Sequence, residues 1–424
     1  MGMLLLVVIL LFALFGTPLF TVLGGAALSL FALEGIDTKA VIVEMYRLAA
    51  NPFMLTIPLF TLAGFLMAEA NTPKRLARLA RAGLGWLPGG IVLGVIVTCS
   101  FFTTFSGASG VTIIALGALF LPILKSEGYP ERFSLGVATA AGSMGLLFPP
   151  SLPLLVYGMV SGIDVNRLFI AALGPGIITV LALAMLGLFV ALRSGTRRTP
   201  SSAREFFAAV NEAKWELLVP VIIFGGIFGG LVTVAEVAAI TAFYLVIVEV
   251  FIYKDLQIRR DLPRIFRKSM MLVAALLLIL GSALGLTNYL VDAEVPDHLF
   301  RIATSIFTSK WSFLLALNAF LLMMGSMLDI LSATIVIVPL IAPVAIKVGI
   351  DPVHLAVIFI ANMQTAYLLP PAGIDLCVAS LAFNQPMTRM YRVAVPFVGT
   401  LLAALLVITY VPELSLALLH WTGR

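Results

Sequence analysis

The chain has 424 residues, 61% of them apolar and only 11% charged, with a mean hydropathy of +1.12. That balance excludes a soluble globular domain and marks a polytopic membrane protein. The formal charge of +5 does not point to nucleic acid, because the cations sit in short loops between apolar spans, where they set topology.

Met1 to Phe15 has no cationic leader and no cleavage site before the apolar run resumes at Leu19, so a retained first helix is expected rather than a signal peptide. The first span covers 3 to 33 and is followed by an amphipathic piece, 37 to 51; the second span is 52 to 70. Thr72 to Arg81 carries four cations and no acid, which predicts a basic amphipathic segment on the cytoplasmic face. The apolar run 91 to 125 is interrupted by Phe105-Ser-Gly-Ala-Ser-Gly110, too small and polar for an unbroken lipid-facing helix, and a re-entrant hairpin is expected. Residues 131 to 162 hold a Pro-Pro break, and 166 to 192 cross into a basic cytoplasmic loop, 193 to 214. Two helices follow, 215 to 230 and 234 to 253, then a second basic loop, 254 to 268. A span at 269 to 290 leads to an acidic-leaning surface piece, 292 to 310. A second span-plus-hairpin (311 to 345), a second broken helix (353 to 386) and a last crossing (388 to 411) complete about ten or eleven crossings. Cys99 and Cys377 both fall in apolar segments and read as free packing thiols, leaving neither a disulfide scaffold nor a zinc site.

The organising stretches are Gly142-Ser-Met-Gly-Leu-Leu-Phe-Pro-Pro-Ser151 and Met363-Gln-Thr-Ala-Tyr-Leu-Leu-Pro-Pro-Ala372. Adjacent prolines remove a backbone donor and exclude helical conformation from the preceding residue, so each is a broken helix. In hydrocarbon such breaks survive only where they are buried in protein or line a cavity. Two of them in corresponding places point to a transport site. A shift of 221 residues superposes the halves without a gap: Gly64 falls on Gly285, Pro122 on Pro343, Gly128 on Gly349, Pro149-Pro150 on Pro370-Pro371 and Pro175 on Pro396. The charge bias of equivalent loops changes sign, basic 72 to 81 against acidic-leaning 293 to 302 and balanced 37 to 51 against basic 258 to 272. The expected fold is therefore all-α, with two inverted-topology repeats, each carrying a re-entrant hairpin and a Pro-Pro broken helix. The expected organisation is an N-terminal scaffold (1–51), repeat 1 (52–192), cytoplasmic loops with a linking helix pair (193–268), repeat 2 (269–412) and a tail (413–424).

The chain resembles, over essentially its whole length, the large membrane subunit of tripartite ATP-independent periplasmic (TRAP) transporters. The pieces that carry the resemblance are Ser106-Gly-Ala-Ser109, Gly145-Leu-Leu-Phe-Pro-Pro-Ser151, Gly325-Ser-Met-Leu-Asp329, Gly349-Ile-Asp-Pro352 and Pro370-Pro-Ala-Gly373. The resemblance implies an elevator-type secondary transporter of the bacterial inner membrane, driven by sodium and with no other cofactor. It implies an organic acid substrate, a carboxylate, delivered by a periplasmic solute-binding protein, and a small four-helix membrane subunit as partner. It also implies a first sodium site at Ser106, Ser109 and the carbonyls of Gly145, Phe148 and Pro150. A second would lie at Gly325 and the carbonyls around Ala366, Leu369 and Ala372. There the chain departs from the family, which usually has Gly at 366 and Thr at 369.

Sodium is a hard cation, and unwound backbone with Ser and Thr hydroxyls supplies oxygen ligands without a titrating group. Ser106 and Ser109 are read as ion ligands, with tight small-residue packing as the alternative. Asp329, deep in an apolar stretch, is a site residue or a helix cap. Asn362, Gln364 and Thr365 either face substrate or bond neighbouring helices. Asp375, close to a site for an organic anion, has a pairing or specificity role. Two other classes compete with this reading. Gly107-Ala-Ser-Gly110 matches intramembrane serine proteases, but that chemistry needs a His base, and His298, His354 and His420 all fall at helix ends. A channel is disfavoured by two matched broken-helix sites, and a proton-coupled organic-anion transporter is the nearest alternative.

Overall fold

The computed structural model describes residues 17–35, 37–50, 52–196, 202–307 and 309–422, and within them all regular structure is helical. The helices run α1 (Leu19–Leu33), α2 (Lys39–Ala49), α3 (Thr56–Glu69), α4 (Thr72–Leu84), α5 (Gly90–Ser106), α6 (Ser109–Ser126), α7 (Glu131–Leu147), α8 (Leu152–Ser161), α9 (Val165–Ser194) and α10 (Ala203–Phe228). They continue as α11 (Val234–Ile252), α12 (Asp261–Asp292), α13 (Val295–Ile306), α14 (Lys310–Gly325), α15 (Ile330–Lys347), α16 (Pro352–Ala366), α17 (Ile374–Ala382), α18 (Met387–Tyr410) and α19 (Glu413–Thr422). Helices α6 and α11 contain π-helical turns at Ile113–Gly117 and Ile247–Ile252, and α7 ends in a 3-10 segment, Ala141–Leu147.

Among the described residues six helices are long and apolar enough to cross a bilayer, or seven if the bent pair α7 and α8 counts as one span. Residues 1–16, with the first half of the first expected span, lie outside the described residues, and the described helices that pass are fewer than the ten or eleven crossings expected of the whole chain. The hairpin arm α5 and its counterpart α14 have 17 and 16 residues, short of the roughly 20 that a crossing needs. The bend between α7 and α8 is 41° and falls at the first Pro-Pro. Both Pro149–Pro150 and Pro370–Pro371 are cis.

Helix limits recur at the offset of 221 residues. Ser109–Ser126 falls on Ile330–Lys347, and Glu131, the first residue of α7, falls on Pro352, the first of α16. Asp329 caps α15 through Leu331 N and Ser332 N, both at 3.0 Å, and Asp351 caps α16 through Val353 N and His354 N. The linking helix α10 begins at Ala203, about three turns before the predicted start, because Ser202 accepts from Glu205 N and caps it. Likewise α12 starts at Asp261, inside the segment read as loop.

The basic helix α4 is amphipathic, but not all its cations face water. Arg75 is 6% exposed and is held by Glu216 of α10, Glu249 of α11 and Asp255, with the Tyr253 ring 3.7 Å from its guanidinium carbon. Thr72 donates to Glu249 at 2.8 Å, and Asn71 binds Asp255 through backbone and side chain. Burial alone would raise the Asp255 carboxyl, but the bonds from Asn71 and Arg75 hold it below the ordinary carboxylate range. A buried pair of this kind costs about 3–5 kcal/mol to break from one side, since the other charge is left uncompensated. It ties α4 to the linking helices.

Candidate functional site

The first hairpin turns at Gly107, whose φ of +62° and close approach to Leu152 both require glycine; an added Cβ would lie 2.7 Å from the Leu152 Cβ. Ser106 and Ser109 are buried on either side of it. Gly64 of α3 packs onto the Ser106 backbone, where a Cβ would lie 2.5 Å from its Cα. Ser106 Oγ reaches only the Ala108 backbone, at 3.4 Å.

The unwound end of α7 lies flat against α5. Thr103 Oγ1 donates to the Gly142 carbonyl at 2.6 Å and shares a 2.6 Å contact with Thr112 Oγ1. Thr104 Oγ1 lies 3.2 Å from the Gly145 carbonyl, which also accepts from Phe148 N at 3.1 Å. Ser151 Oγ donates to Leu146 O. Hairpin and break therefore meet through Thr103, Thr104, Gly142 and Gly145, with Gly107 packed against Leu152 at the turn. The residues that fasten it, Thr103 and Thr104, were not singled out. Their signal was two adjacent hydroxyls in an apolar helix just before the hairpin.

In the second half Gly325 packs against Ala366 and Met363, with an added Cβ 2.8 Å from each. Gly373 N donates to Ser326 O at 3.0 Å, and the Tyr367 hydroxyl accepts from Ile330 N at 2.6 Å. The Ala366 carbonyl accepts from Leu369 N, and the Ala372 carbonyl from the Cys377 thiol at 2.8 Å. Gly325 and Ala366 thus touch beside the second break, and what Ala366, Leu369 and Ala372 offer there is backbone oxygen.

The other candidates separate. Asp329 caps α15, so the capping reading has a concrete partner in the two backbone amides named above. Asn362 donates to Asn318 Oδ1 at 2.7 Å, and Asn318 in turn donates to Thr409, a buried link between α16, α14 and α18. Thr365 bonds its own helix at Ala361 O. Gln364 reaches across to Met144 Sδ at 3.2 Å and leaves its carbonyl oxygen unpartnered. Asp375 is completely buried, and the hydroxyls acting on it belong to Ser109 and Ser143 of the first half. His354 lies between Ser415 Oγ and Thr409 O, and His298 and His420 are exposed. Ser109 therefore has a carboxyl neighbour and no imidazole bonded to it, which removes the protease reading.

The sequence model of the DctM component of tripartite ATP-independent periplasmic transporters matches residues 6–414. The chain belongs to that family. It is 32% identical to the large permease protein DctM of a C4-dicarboxylate TRAP transporter of Pseudomonas aeruginosa, over 94% of this chain and 93% of that one. It is 33% identical to the isethionate TRAP transporter permease protein DctMQ of Oleidesulfovibrio alaskensis, over 96% of this chain and 64% of the relative. Among solved structures it matches the YdaH transporter of Alcanivorax borkumensis, with a TM-score of 0.64, 14% identity, and coverage of 90% of this chain and 87% of that one. That likeness shows the fold. As a DctM-type permease the chain is a multi-pass protein of the bacterial inner membrane and not an enzyme.

Proposed function

We propose that this DctM-type permease takes up an organic acid, a carboxylate, in symport with sodium. It receives the solute from a periplasmic binding protein and works beside a small four-helix membrane subunit. The observation that carries the coupling ion is the first hairpin and break, where the Thr103 and Thr104 hydroxyls meet the Gly142 and Gly145 carbonyls inside an apolar core, beside the buried Ser106 and Ser109. Oxygens of this kind suit a hard monovalent cation. The chain has no Gly-rich Lys-Ser/Thr phosphate loop to use ATP. The relatives named above for C4-dicarboxylate and isethionate both handle organic anions. Uptake of labelled C4-dicarboxylate into proteoliposomes holding all three components is expected with an inward sodium gradient and not with potassium or a proton gradient alone. Equal rates under all three would sink the sodium assignment.

The sign change in loop charge further supports opposite orientation of the two halves, with the basic turn before α12 inside and the start of α13 outside. Single cysteines replacing Arg260 and Asp292, both exposed, test it with an impermeant thiol reagent on whole cells. Asp292→Cys should label and Arg260→Cys should not; the reverse pattern would refute the scheme.

A further inference from the structure

Asp375 is the second residue of α17, just past the second Pro-Pro break, yet its surroundings belong to the first half of the chain. Ser109 opens α6 and Ser143 lies in the 3-10 end of α7. Neither carboxyl oxygen of Asp375 closes a hydrogen bond, and Ser143 Oγ is unpartnered as well. A carboxylate placed this way inside a membrane protein is costly unless a cation joins it.

No side chain among the described residues supplies that cation. Helices α6, α7 and α18 pack against α17. Their nearest ion pairs are closed elsewhere: Glu131 of α7 binds Lys125 of α6 and Arg389 of α18. Arg132 and Arg392 are exposed. Tyr391 donates to Pro371 O, and Cys377, on α17 itself, to Ala372 O. Tyr367, at the end of α16, is the remaining titratable neighbour. Its phenol feels both Asp375 and Asp329 and accepts from Ile330 N.

We propose that Asp375, Ser109 and Ser143 form a sodium-binding site shared by the two halves of the chain, the carboxylate supplying a formal charge to an ion otherwise held by neutral oxygens. This rests on the sodium-symport reading and specifies it. One carboxylate among hydroxyls suits a monovalent ion, and the described residues hold no group of three His, Cys, Asp or Glu that would favour a transition metal. The position equivalent to Asp375 in the first half is Leu154, so only one half carries this charge.

The test uses the purified full-length chain in lipid nanodiscs. Binding of radioactive sodium and sodium-dependent thermal stabilisation are measured at neutral pH with choline as replacement. Asp375→Asn and Asp375→Leu should raise the half-saturating sodium concentration roughly tenfold, and Ser143→Ala should raise it by less. Asp375 variants that bind sodium as the wild type does overturn the proposal. Should the Asp375 variants fail to fold, unchanged sodium binding by Ser143→Ala overturns it. Wild type that binds no sodium instead overturns the parent reading, which binding lost in Ser106→Ala but kept in Asp375→Leu leaves standing.

Discussion

The two hairpin-and-break regions share backbone design and differ in what lines them. At the first, Thr103 and Thr104 bind the Gly142 and Gly145 carbonyls. At the second, the equivalent positions are Met324 and Gly325, and the link is a backbone bond from Gly373 N to Ser326 O. Ser106 and Ser109 correspond to Met327 and Ile330. The second half gives its ionisable group, Asp375, to the first. A duplicated scaffold thus concentrates side-chain oxygen in one copy, and equal backbone geometry does not entail equal ion chemistry.

The contrast breaks or holds on mutation. The largest effect is expected from Ser106→Ala with Ser109→Ala. Each lost hydroxyl contact is worth about 1 kcal/mol, so the pair should raise the sodium concentration for half-maximal uptake roughly tenfold or more. Sodium dependence unchanged in that double variant would mean the first hairpin is packing only. The smallest effect is expected from Leu369→Thr, which restores a hydroxyl where the region relies on backbone carbonyls. It should lower half-maximal sodium no more than about fivefold, the worth of one neutral contact, and only if that region binds an ion. A larger shift than the serine pair produces would reverse the ranking of the two regions.

Much of this architecture was legible beforehand because it is local. Pro149-Pro150 and Pro370-Pro371 break helices through their own stereochemistry, and Phe105–Gly110 turns because small residues and Gly107 permit it. What escaped was pairing across the fold. The placement of Asp375 beside Ser109, the capture of Arg75 by Glu216 and Glu249, and the Asn362–Asn318–Thr409 chain all join residues at least 44 positions apart. The period of a helix tells which face is apolar, not which neighbour meets it. Glu249, alone in an apolar run, was the readable hint that a cation was waiting for it.

The Arg75 cluster also bears on how any sodium titration is to be interpreted. Surface pairs such as Arg78 with Glu205, each side chain about half exposed, weaken as salt shrinks the Debye length from about 10 Å at 0.1 M to about 3 Å at 1 M. Glu216 and Glu249 are wholly inaccessible and Arg75 nearly so, and no mobile counterion reaches between them. The joint of α4 with the linking helices therefore keeps its strength across the ionic strengths such a titration spans, and a dose response measured over that range reports occupancy of the oxygen-lined core rather than loosening of that joint.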